Sequence, residues 1–260
     1  MSSSIDPFSS NRAPGAVRTI GLVVPPAAGL VPPDAAQLYG TRNDVRFIAR
    51  GLGIPGISPE GFDTVVDRIV ASAVELRDAG AEAVSMMGTS LSFYRGLAFT
   101  DELRDRMQQA TGLPCSTMSH AIVESLRHLG VRRVAVATAY IDTLNQRLVS
   151  YLKSCGITVT HIEGLSITDV EGVAQVPGET LMALAERCVA ADRSADGLLI
   201  SCGGLITLDL HAPLEKKLGL PVTSSSPAGF WDVMRAAGID PSAAGYGQLF
   251  TERQPLDRAA

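Results

Sequence analysis

Apolar positions along the chain follow two alternating patterns. Short uncharged runs rich in Val, Ile and Leu read as strands buried on both faces; longer stretches with an apolar residue every three or four positions read as amphipathic helices. Residues 19–24 form the first buried run, and Pro25-Pro26 ends it. Residues 27–59 are rich in Gly and Pro and predict a long loop, and a loop of that length inside a compact domain is usually functional. Ser58-Pro59 predicts a helix start, with Ser58 as N-cap and Pro59 in the first turn. From there Phe62, Val65, Val66, Ile69, Val70, Ala73 and Leu76 keep helical spacing until Gly80. A strand is expected over 83–87. Thr100 is expected to cap a helix carrying Leu103 and Met107, with Gly112 beyond its end. A strand over 113–117 and a helix marked by Ile122, Leu126 and Leu129 complete the first pass.

The pattern then begins again. Residues 133–137 repeat the character of 19–24, Asp142 opens a helix with Leu144, Leu148 and Leu152, and 158–162 predicts a strand. Thr180 is expected to cap a helix carrying Leu181, Leu184 and Cys188, and 198–201 is the next buried run. Ala135 lies 114 positions after Gly21 (135 − 21), and Cys202 lies 114 after Gly88 (202 − 88). Leu220-Pro221-Val222-Thr223 follows Leu113-Pro114-Cys115-Ser116 at an offset of 107. Strands alternating with helices predict an α/β protein with parallel sheets, and the offsets predict an internal duplication. Open parallel sheets bind ligands beyond the carboxyl ends of their strands, so a cleft between the halves is the expected site.

Composition narrows the function. The 260 residues are 46% hydrophobic and 19% charged with a formal net charge of −5, and no basic block appears, which disfavours nucleic acid. No apolar run is long enough for a membrane span, and the N-terminus lacks a basic-then-apolar signal pattern. We expect a cytoplasmic monomer with a disordered leader over 1–18. The cysteines 115, 155, 188 and 202 make no C-x-x-C pair, and no histidine lies at ligand spacing from them, so neither a disulfide framework nor a metal site is expected. Cys188 falls on an apolar helical stripe and reads as core. No phosphate-binding glycine fingerprint follows a strand, so no nucleotide is expected.

The informative difference lies between the two corresponding loops. Ser201-Cys202-Gly203-Gly204 carries a thiol where Met87-Gly88-Thr89-Ser90 carries a glycine followed by two hydroxyls. Glycines let a backbone approach a ligand closely, and a helix beginning after the thiol loop would add its positive end. One thiol facing a hydroxyl loop can protonate a carbanion from one face only. The plainer readings are a small buried hydrophobe for Cys202 and a helix cap for Ser90. Tyr140, at the end of the strand that opens the second half, is either an oxyanion donor or a buried structural tyrosine. His128 reads as surface structure, His120 as a group near the cleft, and His161 and His211 have no evident acidic partner.

The stretches Val23-Val24-Pro25-Pro26-Ala27-Ala28-Gly29-Leu30-Val31-Pro32, Met87-Gly88-Thr89-Ser90-Leu91-Ser92-Phe93-Tyr94-Arg95-Gly96, Ala137-Thr138-Ala139-Tyr140-Ile141-Asp142, Ser201-Cys202-Gly203-Gly204-Leu205 and Ser224-Ser225-Ser226-Pro227-Ala228-Gly229-Phe230-Trp231 resemble the aspartate/glutamate racemase superfamily and, within it, the arylmalonate decarboxylase family. The resemblance runs from Thr19 to about Phe250. It implies two pseudo-symmetric Rossmann-like domains, each a parallel four-stranded sheet flanked by helices: 19–115 with 226–250, and 116–225. It implies cofactor-free decarboxylation of 2-aryl-2-substituted malonates to optically active 2-arylalkanoic acids through an enediolate. By that analogy Cys202 protonates the enediolate, and Thr89, Ser90, Tyr140 and Gly203 bind the retained carboxylate. Pro25, Ile54, Ile57, Val170 and Val173, with Gly88, Leu91 and Gly204, shape the substrate pocket. The loop over 40–46 is expected to be a few residues longer than the family pattern, and Ile54 and Val173 are expected to differ in shape from the family's residues. Two other functions stay open: a racemase or cis–trans isomerase of a small dicarboxylate or amino acid, which needs a second acid/base opposite Cys202, and a carboxylate-binding protein without turnover.

Overall fold

The structure is a computed structural model that describes residues 16–251. Most of the expected leader therefore lies outside the described residues, although Arg18 already belongs to the first strand. The first half runs β1 (Arg18–Val24), α1 (Asp34–Tyr39), β2 (Val45–Gly51), α2 (Pro59–Asp63), α3 (Val66–Asp78), β3 (Ala83–Met86), α4 (Thr89–Phe93), α5 (Leu97–Thr111), β4 (Cys115–Thr117) and α6 (Met118–His128). The second runs β5 (Arg133–Thr138), α7 (Asp142–Ser154), β6 (Thr158–Gly164), α8 (Val170–Val173), α9 (Gly178–Ala191), β7 (Gly197–Ser201), α10 (His211–Leu218), β8 (Val222–Ser224) and α11 (Ser225–Ala236).

Each half builds one four-stranded, all-parallel sheet, ordered β2-β1-β3-β4 and β6-β5-β7-β8. Adding four to each strand number converts one order into the other. The registers repeat as well: Ile20 pairs with Ala83, and Val134 with Gly197, each 114 positions later (134 − 20; 197 − 83). The α/β duplication expected from the pattern is the observed architecture. Central strands β1, β3, β5 and β7 are buried on both faces, as their uninterrupted apolar runs require.

Several local expectations change. The long loop over 27–59 contains α1 and the edge strand β2. Edge strands are half-solvated, so Arg46 and Arg50 alternate with apolar residues and mask the β pattern. Val45 and Arg46 accordingly belong to β2 and not to the loop expected over 40–46. Ser58 does cap α2, accepting from the Gly61 N–H at 3.3 Å, but the helix breaks at Thr64 and Val65 before α3. Thr100 lies inside α5, where its hydroxyl donates back to the Ser92 and Gly96 carbonyls; the cap position is Gly96, at φ 86°, a conformation that favours glycine. Thr180 likewise lies inside α9, which begins after Pro177.

The core is continuous across the strand–helix layers of both halves. A second apolar group joins Ile20, Leu22 and Val24 of β1 to Phe230, Trp231 and Met234 of α11 and to Phe250. α11 therefore crosses from the end of the second sheet onto the first, and it packs along α6. This crossover brings the carboxyl ends of the two sheets to one cavity.

Candidate active site

A cavity of about 420 Å³ opens where segments leaving β1, β2, β3, β6 and β7 converge. Pro25, Ile54, Ile57, Gly88, Thr89, Ser90, Leu91, Val170, Val173, Cys202, Gly203 and Gly204 all line it. Tyr140 stands behind this lining, completely buried, with its hydroxyl in hydrogen-bonding reach of Thr89, Ser90 and Ser201 (3.4 Å from Ser201 Oγ). The expected site residues are thus gathered in one place, from loops far apart in the chain.

The hydroxyl loop ends β3 and starts α4. Its first intrahelical bond runs from Ser92 N–H to the Gly88 carbonyl (3.0 Å), so the N–H groups of Thr89, Ser90 and Leu91 precede the helical ladder. Methionine sulfurs support this loop: the Gly88 N–H meets Met86 Sδ at 3.2 Å, and the Thr89 hydroxyl meets Met118 Sδ at 2.7 Å. A side chain at Gly88 would be crowded, because a Cβ would come within 2.9 Å of Met86 Cε and 3.0 Å of Pro25 Cγ.

The thiol loop is held differently. The Cys202 N–H donates to Ser225 Oγ at 3.1 Å, so the start of α11, and not a helix following the loop, fixes its backbone. Gly203 is confined by Met118 Sδ, 2.9 Å from where a Cβ would stand. Burial pushes the Cys202 thiol up to about 11, against weaker opposing contributions from the Gly204 backbone and the Tyr140 hydroxyl. The sulfur is therefore a protonated thiol at neutral pH. Burial also holds Tyr140 well above its ordinary range, so the phenol remains a donor.

Behind Ser225, a buried polar network includes Ser224, whose hydroxyl meets Thr207 Oγ1 and His211 Nε2, each at 2.7 Å. His211 is completely buried and pushed down to about 4 by burial; its Nδ1 faces the Tyr246 backbone without a well-formed hydrogen bond. His120 points elsewhere, bridging Thr117 Oγ1 (2.9 Å) and Asp101 (2.8 Å). The His128 ring packs 5.0 Å from Trp231.

Sequence reasoning missed Asp34, Phe62 and Met87 in the lining, and Ser225 behind it. Asp34 is buried and accepts from Ser226 Oγ at 2.6 Å; burial raises its pKa. The Ser224-Ser225-Ser226 run was the available signal, since three hydroxyls at a strand–helix junction are there to be hydrogen-bonded. Leu30 and Ile206, 73% and 50% exposed, form an apolar rim at the mouth.

The one metal-type cluster among the described residues lies apart from this cavity. His161, Glu163 and Cys188 place ligand atoms within 4.8 Å of one another, so His161 does have an acidic neighbour and a cysteine nearby. Glu163 is already paired with Arg187 at 2.6 Å, while Cys188 donates to the Val136 carbonyl at 3.2 Å and is pushed up to about 12 by burial. The strand–helix packing of β6 on α9, invisible in residue spacing, brings them together.

Residues 20–250 match the arylmalonate decarboxylase family profile. The arylmalonate decarboxylase of Bordetella bronchiseptica is 54% identical over 235 residues, covering 90% of this chain and 97% of that protein. A crystal structure of a doubly substituted arylmalonate decarboxylase in liganded form superposes with a TM-score of 0.88 at 52% identity, covering 90% and 99% of the two chains. A maleate isomerase of Nocardia farcinica is more distant, 28% identical over 91% of this chain and 96% of its own length. This chain belongs to the arylmalonate decarboxylase family. It is an enzyme, a carbon–carbon lyase of the carboxy-lyase class. Among the described residues, no helix is long and apolar enough to cross a membrane.

Proposed function

We propose that the enzyme decarboxylates 2-aryl-2-substituted malonates without a cofactor and protonates the resulting enediolate from one face through Cys202. The observation that carries this reading is the asymmetry of the cavity: one thiol on the second half, and on the first half a hydroxyl loop with glycine in the corresponding place.

One substrate carboxylate is held by the hydroxyls of Thr89, Ser90 and Tyr140 and by the Gly203 N–H. The other lies against Pro25, Ile54, Ile57, Val170 and Val173, where an anion is poorly solvated and neutral CO₂ is not. Breaking the C–C bond leaves its electron pair on the α-carbon. The aryl ring and the retained carboxylate delocalise that pair as an enediolate, and the preorganised donors stabilise its second negative charge. Cys202 then gives its proton to the α-carbon, and the thiolate regains a proton from solvent. A thiol held protonated to about pH 11 suits this acid role. Racemisation or isomerisation would require a second acid/base at the opposite face, where Gly88 offers none.

The test is CO₂ release from phenylmalonate and methyl-phenylmalonate in the presence of chelator, with chiral analysis of 2-phenylpropionate. Release with an enantiomeric excess is expected. Binding of these acids without turnover, or a racemic product from the native enzyme, overturns the reading.

A further inference from the structure

Asp34 is the one polar side chain of the cavity lining that the proposed reaction does not use; Thr89, Ser90 and Cys202 are the others. It is an acid in the first turn of α1, where a carboxylate gains from the helix end while still in water. The structure buries it instead, at 5% exposure. Ser226 Oγ donates to one carboxyl oxygen at 2.6 Å, and the other oxygen accepts from no other side chain among the described residues. Among those residues no Lys, Arg or His lines the cavity, and the charge that Asp34 feels from Asp209 has the same sign as its own. Burying a carboxyl without a counter-ion costs stability. At the end of the cavity that would hold a substrate's carboxylates, such a group would only repel them.

Its place gives it a use. In the reaction proposed above, the retained carboxylate takes Thr89, Ser90 and Gly203, and the departing one takes the wall formed by Pro25, Ile54 and Val170. Residues 30–34, with Leu205 and Ile206, remain on the side of the mouth. The segment 30–34 runs inward from exposed Leu30 to buried Asp34, so a ring reaching from the α-carbon toward the mouth lies along it. A ring hydroxyl or N–H finds there a carboxyl oxygen with lone pairs to spare. A ring anion either meets the Asp34 charge or forces Asp34 to take up a proton, and both are unfavourable.

We propose that Asp34 selects the aryl group: the cavity takes malonates whose ring carries a hydrogen-bond donor and refuses rings that carry an anion. The placement of the ring rests on the decarboxylase reading; the binding arm of the test does not need turnover. Carbamoyl and carboxylate groups are nearly equal in size, so 3- and 4-carbamoylphenylmalonate set against 3- and 4-carboxyphenylmalonate isolate the charge. At one ring position or both, kcat/KM of the native enzyme should favour the carbamoyl substrate about a hundredfold, as like charges brought together require. Asp34→Asn keeps an oxygen for Ser226 and should shrink that ratio by about tenfold or more. Comparing the same pair in native and variant enzyme cancels the ring substituents' own electronic effects. The matching phenylacetates, titrated calorimetrically, should show the same preference and the same loss. A native preference below about threefold at both ring positions overturns the proposal, even where Asp34→Asn does not fold. A preference that the variant leaves unchanged overturns it too. Preference and loss among the phenylacetates, with no malonate turned over, would leave the role of Asp34 standing and defeat the decarboxylase reading. Turnover of phenylmalonate without any preference would do the reverse.

Discussion

The two loops that meet in the main cavity occupy equivalent places in the two halves, yet their donor groups are supported differently. Thioethers meet the donor groups of the hydroxyl loop, Met86 at the Gly88 N–H and Met118 at the Thr89 hydroxyl, while the Ser92 and Ser119 hydroxyls donate to the Thr89 carbonyl. The thiol loop rests on a buried polar network in which Ser225 fixes the Cys202 N–H and Ser224 ties Thr207 to His211. Thioethers are deformable and indifferent to pH. Hydroxyls and an imidazole are directional and, when buried, costly to leave unpaired. Duplication supplied one scaffold twice; in the reaction proposed above, the loop that aims a proton has its backbone N–H fixed by a hydroxyl, and the loop that receives an anion has its donor groups set against adaptable thioethers.

The largest break in this comparison is Cys202→Ala. It removes the proposed proton donor while leaving both supports intact, and CO₂ release from phenylmalonate is expected to fall about 10³-fold or more, within the range for general acids. Retention of full activity would defeat the donor role. In the native enzyme the rate should stay level through neutral pH and fall as the thiol titrates toward about 11.

Acid should strike the thiol side through its imidazole. His211 is pushed down to about 4 from an ordinary 6.5, so its neutral form is favoured by folding. That contribution is complete above pH 6.5 and is lost as pH falls toward 4, amounting to about 3 kcal/mol. Urea midpoints at pH 6.5, 5.5 and 4.5 should show this slope, and His211→Gln should flatten it. An unchanged slope in the variant would assign the acid sensitivity elsewhere.

Gly88→Cys makes the two loops alike. Its Cβ must displace Met86 Cε and press on Pro25, which costs about 1–3 kcal/mol as overpacking. The folded variant should racemise optically pure 2-phenylpropionate, followed by chiral chromatography; a folded variant that makes no racemate contradicts the opposed-face geometry. The smallest effect is expected of Ser225→Ala. It leaves the buried Cys202 N–H without its partner, at about 1–2 kcal/mol in stability, with a drop in kcat that exceeds any change in KM.

How much of this was legible in the sequence depended on whether the signal was local. Ser58-Pro59, the buried runs of β1, β3, β5 and β7, and the 114-residue offset all express their structure in adjacent residues, and the structure repeats them. β2 hid because an edge strand alternates with arginines. Thr100 and Thr180 misled because a threonine that bonds to its own helix looks in sequence like one that caps it. For the site, the family motifs named residues that the structure gathers around one cavity. Asp34, Phe62 and Ser225 stayed hidden because their importance comes from which element lies opposite, as when α11 crosses between sheets.

The apolar rim carries a consequence for range of substrate. In the proposed reaction the α-carbon lies among Pro25, Leu91 and Val173 of the lining, where even a methyl group would be measured. Toward Leu30 and Ile206 the passage widens into open water, and a ring system projecting that way meets greasy lips rather than a stop. For the reaction proposed above, the expected result is sharp discrimination among small substituents at the reacting centre and tolerance of fused or extended rings, read from relative turnover of an arylmalonate panel.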